Sequence, residues 1–143
     1  MGQSLIKNYI HIVFSTKYRQ PFINQSIEHE LHSYLGGICN MLECHVIKVG
    51  GYTDHIHILC MLSTKIPLIV NSSKWIKTKG SEYKSFSWQN GYGAFSVNPS
   101  QIDVVIKYIE NQHEHHKKKS FKNEYVAFLQ KYKVDYDERY VWE

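Results

Sequence analysis

Two runs rich in β-branched and apolar residues, 44–52 and 54–62, meet at Tyr52-Thr53-Asp54, and that short link constrains the fold of this chain most. So few residues permit only an antiparallel hairpin, because a parallel pair needs a crossover of a dozen or more. Upstream, 6–16 (IKNYIHIVFST) reads as a strand that Lys17, Tyr18, Arg19 and Pro21 end. Asn24 or Ser26 can cap a helix whose apolar face is Ile27, Leu31, Tyr34, Leu35 and Ile38. Pro67 opens a second helix with Leu68, Ile69, Ser72 and Ile76 inward. Lys74 and Lys77 fall on another face of it, joined by Lys84 if the helix continues through Gly80. Phe86 to Val97 reads as a strand pair or one bent strand around Asn90-Gly91-Tyr92-Gly93, since Asn-Gly favours turns. Pro99 or Ser100 starts a further helix, and a last one covers roughly 121–131.

The resulting order is β-α-β-β-α-β followed by helices. It predicts an α+β, ferredoxin-like (RRM-like) split β-α-β: a mostly antiparallel sheet with two helices on one face. In that arrangement the first and third strands are central. At 143 residues the chain, 1–143, reads as a single domain.

Charge and composition narrow the partners. The net charge of +4 leaves nine histidines uncounted, a cationic bias that suits nucleic acid without requiring it. Arginine occurs only at positions 19 and 139, so bidentate reading of bases is not a dominant theme. Cys39, Cys44 and Cys60 form no C-x-x-C pair and read as reduced, packed thiols of a cytoplasmic protein. The N-terminus lacks a basic segment followed by a long apolar one, and no apolar run approaches a membrane span. Gly2 begins a myristoylation-like pattern, but Ile6 stands where it needs Ser or Thr.

Two short patterns carry chemistry. In His55-Ile56-His57 the strand period of two sends Ile56, Ile58, Cys60 and Leu62 to the core side. His55 and His57 face the other side with Leu59 and Met61, as converging metal ligands or as a histidine pair on a solvated face. In the later helix Ile102, Val105, Ile106 and Ile109 form the apolar stripe. Tyr108 lies off its centre, one turn from Gln112 and beside Gln101 and His115, as a nucleophile or as a tyrosine flanking the core. Together these residues supply two nitrogen ligands, an oxygen ligand and an oxygen nucleophile. That set can hold a divalent cation against a phosphodiester and attack it, which suggests DNA strand transfer.

The His55-Ile56-His57 motif and the run Tyr-Ile-Glu-Asn-Gln-His-Glu-His-His-Lys-Lys from Tyr108 resemble the single-tyrosine HUH transposases of bacterial and archaeal insertion sequences, the TnpA type. The resemblance extends over His11-Ile12-Val13-Phe14-Ser15-Thr16-Lys17-Tyr18-Arg19, Trp88-Gln89-Asn90-Gly91-Tyr92-Gly93 and Asp137-Glu138-Arg139-Tyr140-Val141-Trp142, nearly the whole chain. It implies that Tyr108, on the extra C-terminal helices, attacks single-stranded DNA at hairpin-bearing ends. A 5′-phosphotyrosine link forms, a 3′-hydroxyl is released, and reversal joins strands. His55, His57 and Gln112 would hold Mg²⁺ or Mn²⁺, and imidazole pairs would also take zinc or nickel without turnover. It further implies a homodimer with active sites that can be shared. The covalent link conserves energy, and the chain carries no G-x-x-x-x-G-K-[ST] motif.

Lys17, Arg19, Lys74, Lys77, Lys84 and Tyr92 are the expected DNA contacts. Trp88 stacks on bases or packs across strands. Asp54 reads as a turn aspartate, with support of the histidine pair as the alternative, and Glu110 as solvated. His113, His115 and His116 with Lys117–Lys119 read as a cationic helix end rather than a metal tract. Cys44-His45 is too small a pattern for a metal site. Three other readings compete: a domesticated or replication-type HUH nickase, a non-catalytic single-stranded nucleic-acid-binding module, and a metal-dependent hydrolase independent of Tyr108. The module would carry paired aromatics on its central strands, where this chain has histidines.

Overall fold

Strands β1 (Tyr9–Ser15) and β3 (His55–Met61) lie side by side at the centre of a four-stranded sheet ordered β2-β3-β1-β4. The outer strands are β2 (His45–Gly51) and β4 (Gly93–Val97). Each neighbouring pair is antiparallel, so β1 and β2 run the same way with β3 inserted between them. That is the split β-α-β expected from the element order. The computed structural model describes residues 8–41, 44–61 and 68–142. The expectations for Gly2, Ile6, Leu62 and Pro67 lie outside the described residues, as do those for the side chains of Leu68 and Ile69.

Helices cover both faces. On one, Ile56, Ile58 and Cys60 of β3 join Ile12 and Phe14 of β1 against α1 (Gln25–Met41) and α2 (Leu68–Ile76). The predicted stripe is buried at Ile27, Leu31, Leu35 and Ile38, while half-buried Tyr34 stacks on Trp75. Asn24 caps α1 by accepting from the Ser26 backbone amide at 3.1 Å. Each fully buried Ile or Leu contributes about 1.5–3 kcal/mol, so this layer supplies much of the fold's stability. The three cysteines are buried and form no disulfide among the described residues, and burial pushes the Cys39 thiol up to about 11 and Cys60 up to about 12.

The second face carries the site. Here α3 (Ile102–Glu110), α4 (Gln112–His116) and α5 (Phe121–Lys131) close over His55, His57, Leu59 and Val13. The predicted stripe of Ile102, Val105, Ile106 and Ile109 packs on Leu59 and Val97. The histidine pair is therefore fully buried, and the solvated face considered for it does not exist. Among the described residues no helix is long and apolar enough to cross a membrane.

Two other expectations resolve. Phe86 to Val97 forms no hairpin: Trp88 bridges Thr16, and after the Asn90-Gly91 turn β4 pairs with the same strand, β1. Trp88 is buried and donates from Nε1 to Ser72 Oγ at 3.0 Å, which removes it from base stacking. Helix α2 ends at Ile76, before Gly80, so Lys84 does not continue its lysine face.

Gly50 sets how closely α3 approaches the sheet. A Cβ there would lie 2.5 Å from Ile109 Cγ2 and 2.9 Å from the Ile109 carbonyl oxygen. Gly50→Ala is expected to cost about 1–3 kcal/mol by forcing α3 outward, read as a melting temperature lowered by several degrees. An unchanged melting temperature would mean that α3 has room to spare.

Candidate functional site

The hairpin and strand alternation bring the first residues together. Gly50 pairs with His57, and Ser15 and Val13 of β1 pair with His55 and His57. Asp54, at the turn, lies 2.7 Å from His55 Nδ1 through Oδ1. It is a turn aspartate that also orients the ring. His11, on the same face of β1, places Nε2 2.8 Å from His57 Nδ1. Both histidines thus have a partner on the nitrogen that faces away from the centre, as metal-binding imidazoles do.

Their inner nitrogens meet residues from the C-terminal helices. Asn98 caps the turn before α3 by accepting from the Ser100 amide, and α3 breaks at Asn111 so that Gln112 opens α4. The one-turn spacing survives the break: Gln112 Nε2 donates to the Tyr108 carbonyl at 3.3 Å. That bond and another from Nε2 to Glu124 Oε2 at 3.3 Å fix the amide, leaving Oε1 2.9 Å from His55 Nε2. With Nδ1 turned to Asp54, His55 aims Nε2 at that carbonyl oxygen, and a ring nitrogen and an amide oxygen that can each offer a lone pair lie close enough to share a cation.

Glu124 of α5 completes the cluster. It is 1% exposed. His57 Nε2 lies 3.0 Å from its Oε1, His116 Nε2 lies 3.0 Å from Oε2, and the Tyr108 hydroxyl donates to Oε2. His55, His57, His116 and Glu124 each offer a ligand atom, all within 4.8 Å of one another. Burial pushes His57 down to about 4 and His11 down to about 3, so both are neutral at pH 7. Burial alone would raise the Glu124 carboxyl, but hydrogen bonds from His116 and His57 outweigh it and hold it well below the usual carboxylate range. Burial, reinforced by that carboxylate, holds the Tyr108 phenol well above its ordinary value.

Above Tyr108 opens a cleft of about 190 Å³ lined by His115, Lys119, Glu124, Phe128 and Lys131. Tyr108, the Glu124 carboxylate of that cluster and two lysines therefore border one space. That combination suits an anion such as a phosphodiester.

The sequence-predicted set of Tyr108, His55, His57 and Gln112 is brought together within one chain. The expected DNA contacts are dispersed. Lys74 is exposed on α2, across the sheet from the histidines, Lys77 is exposed in the turn just after it, and Lys84 is exposed farther along the chain. Lys17 and Arg19 follow β1, and the Arg19 guanidinium lies 5.6 Å over the Trp142 ring. Tyr92 is exposed and lines another cleft, of about 480 Å³, with Tyr136 and Tyr140. His116, read as part of a cationic helix end, instead turns into the site, whereas exposed His113 lies 2.6 Å from Glu28. Glu110 is exposed and pairs with Lys48 at 3.4 Å. Glu124 and Lys131 escaped sequence reasoning altogether. One signal existed: Glu124 sits between Phe121 and Tyr125 on the buried stripe of α5, where an apolar residue belongs.

The family model for IS200-like transposases matches residues 4–112. A provisionally assigned transposase from Deinococcus radiodurans R1 has a similar structure, with TM-score 0.58 and 18% identity over 78% of this chain and 96% of that one. A REP-associated tyrosine transposase bound to a REP hairpin is also similar, with TM-score 0.53 and 13% identity over 81% of this chain and 73% of that one. No curated protein matches the sequence.

Proposed function

The chain belongs to the IS200-like transposase family, and on that premise we propose that it cleaves and rejoins single-stranded DNA through Tyr108. The observation that carries this reading is the meeting of the Tyr108 hydroxyl, His55, His57 and Gln112 beside a lysine-lined cleft. The neighbour solved on a REP hairpin supports hairpin-bearing ends as the substrate.

Tyr108 Oη attacks the scissile phosphorus as the bond to the 3′ oxygen breaks. The phenol loses its proton, the departing 3′ oxygen gains one, and the 5′ phosphate stays on the tyrosine. A later 3′-hydroxyl reverses the exchange and joins strands. Lys119 and Lys131 border the space for the phosphate, and the α3–α4 break keeps Gln112 next to the nucleophile.

The donors fit a divalent cation, Mg²⁺ or Mn²⁺ for turnover: His55 Nε2 and Gln112 Oε1 face each other at 2.9 Å, and His57 Nε2 reaches the same carboxylate oxygen as His55 Nε2. When bound, the ion supplies electrophilic stabilisation of the phosphate oxygens. Ligation by His57 Nε2 places its hydrogen on Nδ1, where His11 Nε2 is within reach as acceptor. A homodimer belongs to this reading. The buried thiols fit a reducing cytoplasm.

The test is covalent capture. The protein is incubated with Mg²⁺ or Mn²⁺ and end-labelled single strands spanning a hairpin end of its source locus. A denaturation-resistant adduct carrying the 3′-side fragment, mapped to Tyr108 by mass spectrometry, is expected. Cleavage without an adduct would replace this reading with a metal-dependent hydrolase.

A further inference from the structure

Glu124 stands outside the tyrosine, histidine and glutamine set, yet the site converges on it. Its Oε1 lies 3.0 Å from His57 Nε2 and 3.5 Å from His55 Nε2, and Gln112 Oε1 lies 2.9 Å from His55 Nε2. Donors bound to one ion at about 2.1 Å sit about 3 Å apart along the edges of its coordination shell, and these three separations are at or near that spacing. The carboxylate's other oxygen accepts from the Tyr108 hydroxyl and from Gln112 Nε2.

Charge points the same way. His55, His57 and Gln112 are neutral donors, whereas hard divalent ions favour anionic oxygen. A carboxylate 1% exposed must be met by partners on every side, and Glu124 is ringed by imidazole nitrogens, with His57 and His116 at 3.0 Å, His115 at 3.2 Å and His55 at 3.5 Å. His116 faces oxygens on both sides, Lys119 O at 2.6 Å from Nδ1 and Glu124 Oε2 at 3.0 Å from Nε2. It braces the carboxylate on the side away from His57.

On the transposase reading of this same site, we infer that Glu124 is a fourth, charged ligand of the cation: Oε1 completes the donor set while Oε2 holds the Tyr108 hydroxyl beside it. One carboxylate thereby ties the position of the nucleophile to the presence of the ion. Glu124 lies beyond the residues matched by the family model, on a helix this chain folds back over its own histidines.

The experiment is Mn²⁺ binding by calorimetry and electron paramagnetic resonance on chelator-stripped protein, with melting in EDTA as the folding control. Wild type is expected to bind one ion. Glu124→Gln, which removes the charge and keeps the shape, is expected to bind it at least tenfold more weakly while still melting cooperatively without metal, at a lower temperature. Glu124→Asp, whose shorter arm withdraws the oxygen, serves if the glutamine variant does not fold and is also expected to weaken binding. Affinity within twofold of wild type in the folded variant, with His57→Ala losing the ion, would overturn the inference and leave the transposase site standing. No saturable Mn²⁺ binding by wild type would overturn both.

Discussion

Tyr108→Phe is expected to abolish the covalent DNA adduct and to lower strand cleavage by at least about 10⁴-fold, the scale on which loss of a nucleophile is felt. The fold should survive it. The ring keeps its neighbours, with centroids 5.8 Å from His57, 5.4 Å from His115 and 5.7 Å from Phe128. Only the hydroxyl is lost, and Glu124 keeps its contacts with His57, His116 and Gln112. One hydrogen bond to a charged group is worth about 1.5–3 kcal/mol, and part of that returns because a buried polar group disappears with it. A denaturing gel reads the adduct and thermal melting reads the fold. Affinity for an uncleaved hairpin strand should change little, because the basic groups bordering the cleft, Lys119 and Lys131, are untouched. Cleavage retained above a tenth of the wild-type rate would assign the attack to water and remove Tyr108 from the chemistry.

What was legible in the sequence follows from periodicity. The alternation 55–61 separates His55 and His57 from Ile56, Ile58 and Cys60, and the short hairpin fixes β3 beside β2, so half of the site could be drawn from local pattern. The Tyr108 to Gln112 spacing is likewise local, and it persists across the break at Asn111. The burial of that face was not legible. It depends on α5 returning over the sheet, a contact between positions far apart in the chain, and the outward look of FKNEYVAFLQK hides it. Glu124 on the buried stripe was the available clue; a carboxylate there must find partners, and His57 and His116 are those partners. His11 was hidden differently. Alternation along 9–15 puts it on the face of Val13 and Ser15, but only the β1–β3 register brings it beside His57. A cationic helix face carries no address in the sequence: the sheet stands between Lys74 and Tyr108, and no local pattern shows that.

Acid should unfold the metal-free protein well before its carboxylates titrate. Burial pushes His57 from its ordinary 6.5 down to about 4, and His11 down to about 3. The folded pKa values lie below the unfolded ones, so between pH 6.5 and about 4 the unfolded chain binds protons that the folded chain refuses. This stability is complete above pH 6.5 and is lost as the pH falls toward 4, levelling off only once the folded rings also protonate. His57 alone accounts for on the order of 3 kcal/mol, a large part of the roughly 5–15 kcal/mol that holds a domain together. Glu124 acts in the same direction at lower pH, since its carboxyl is held below the usual range in the fold. Urea midpoints in EDTA across pH 8 to 4.5 should therefore fall steeply below 6.5, and less steeply in His57→Leu, which has no ring to protonate at that position. A wild-type profile that stays flat over this range would mean that the two imidazoles reach solvent or a proton donor in the folded protein, and the buried site described here would have to be opened.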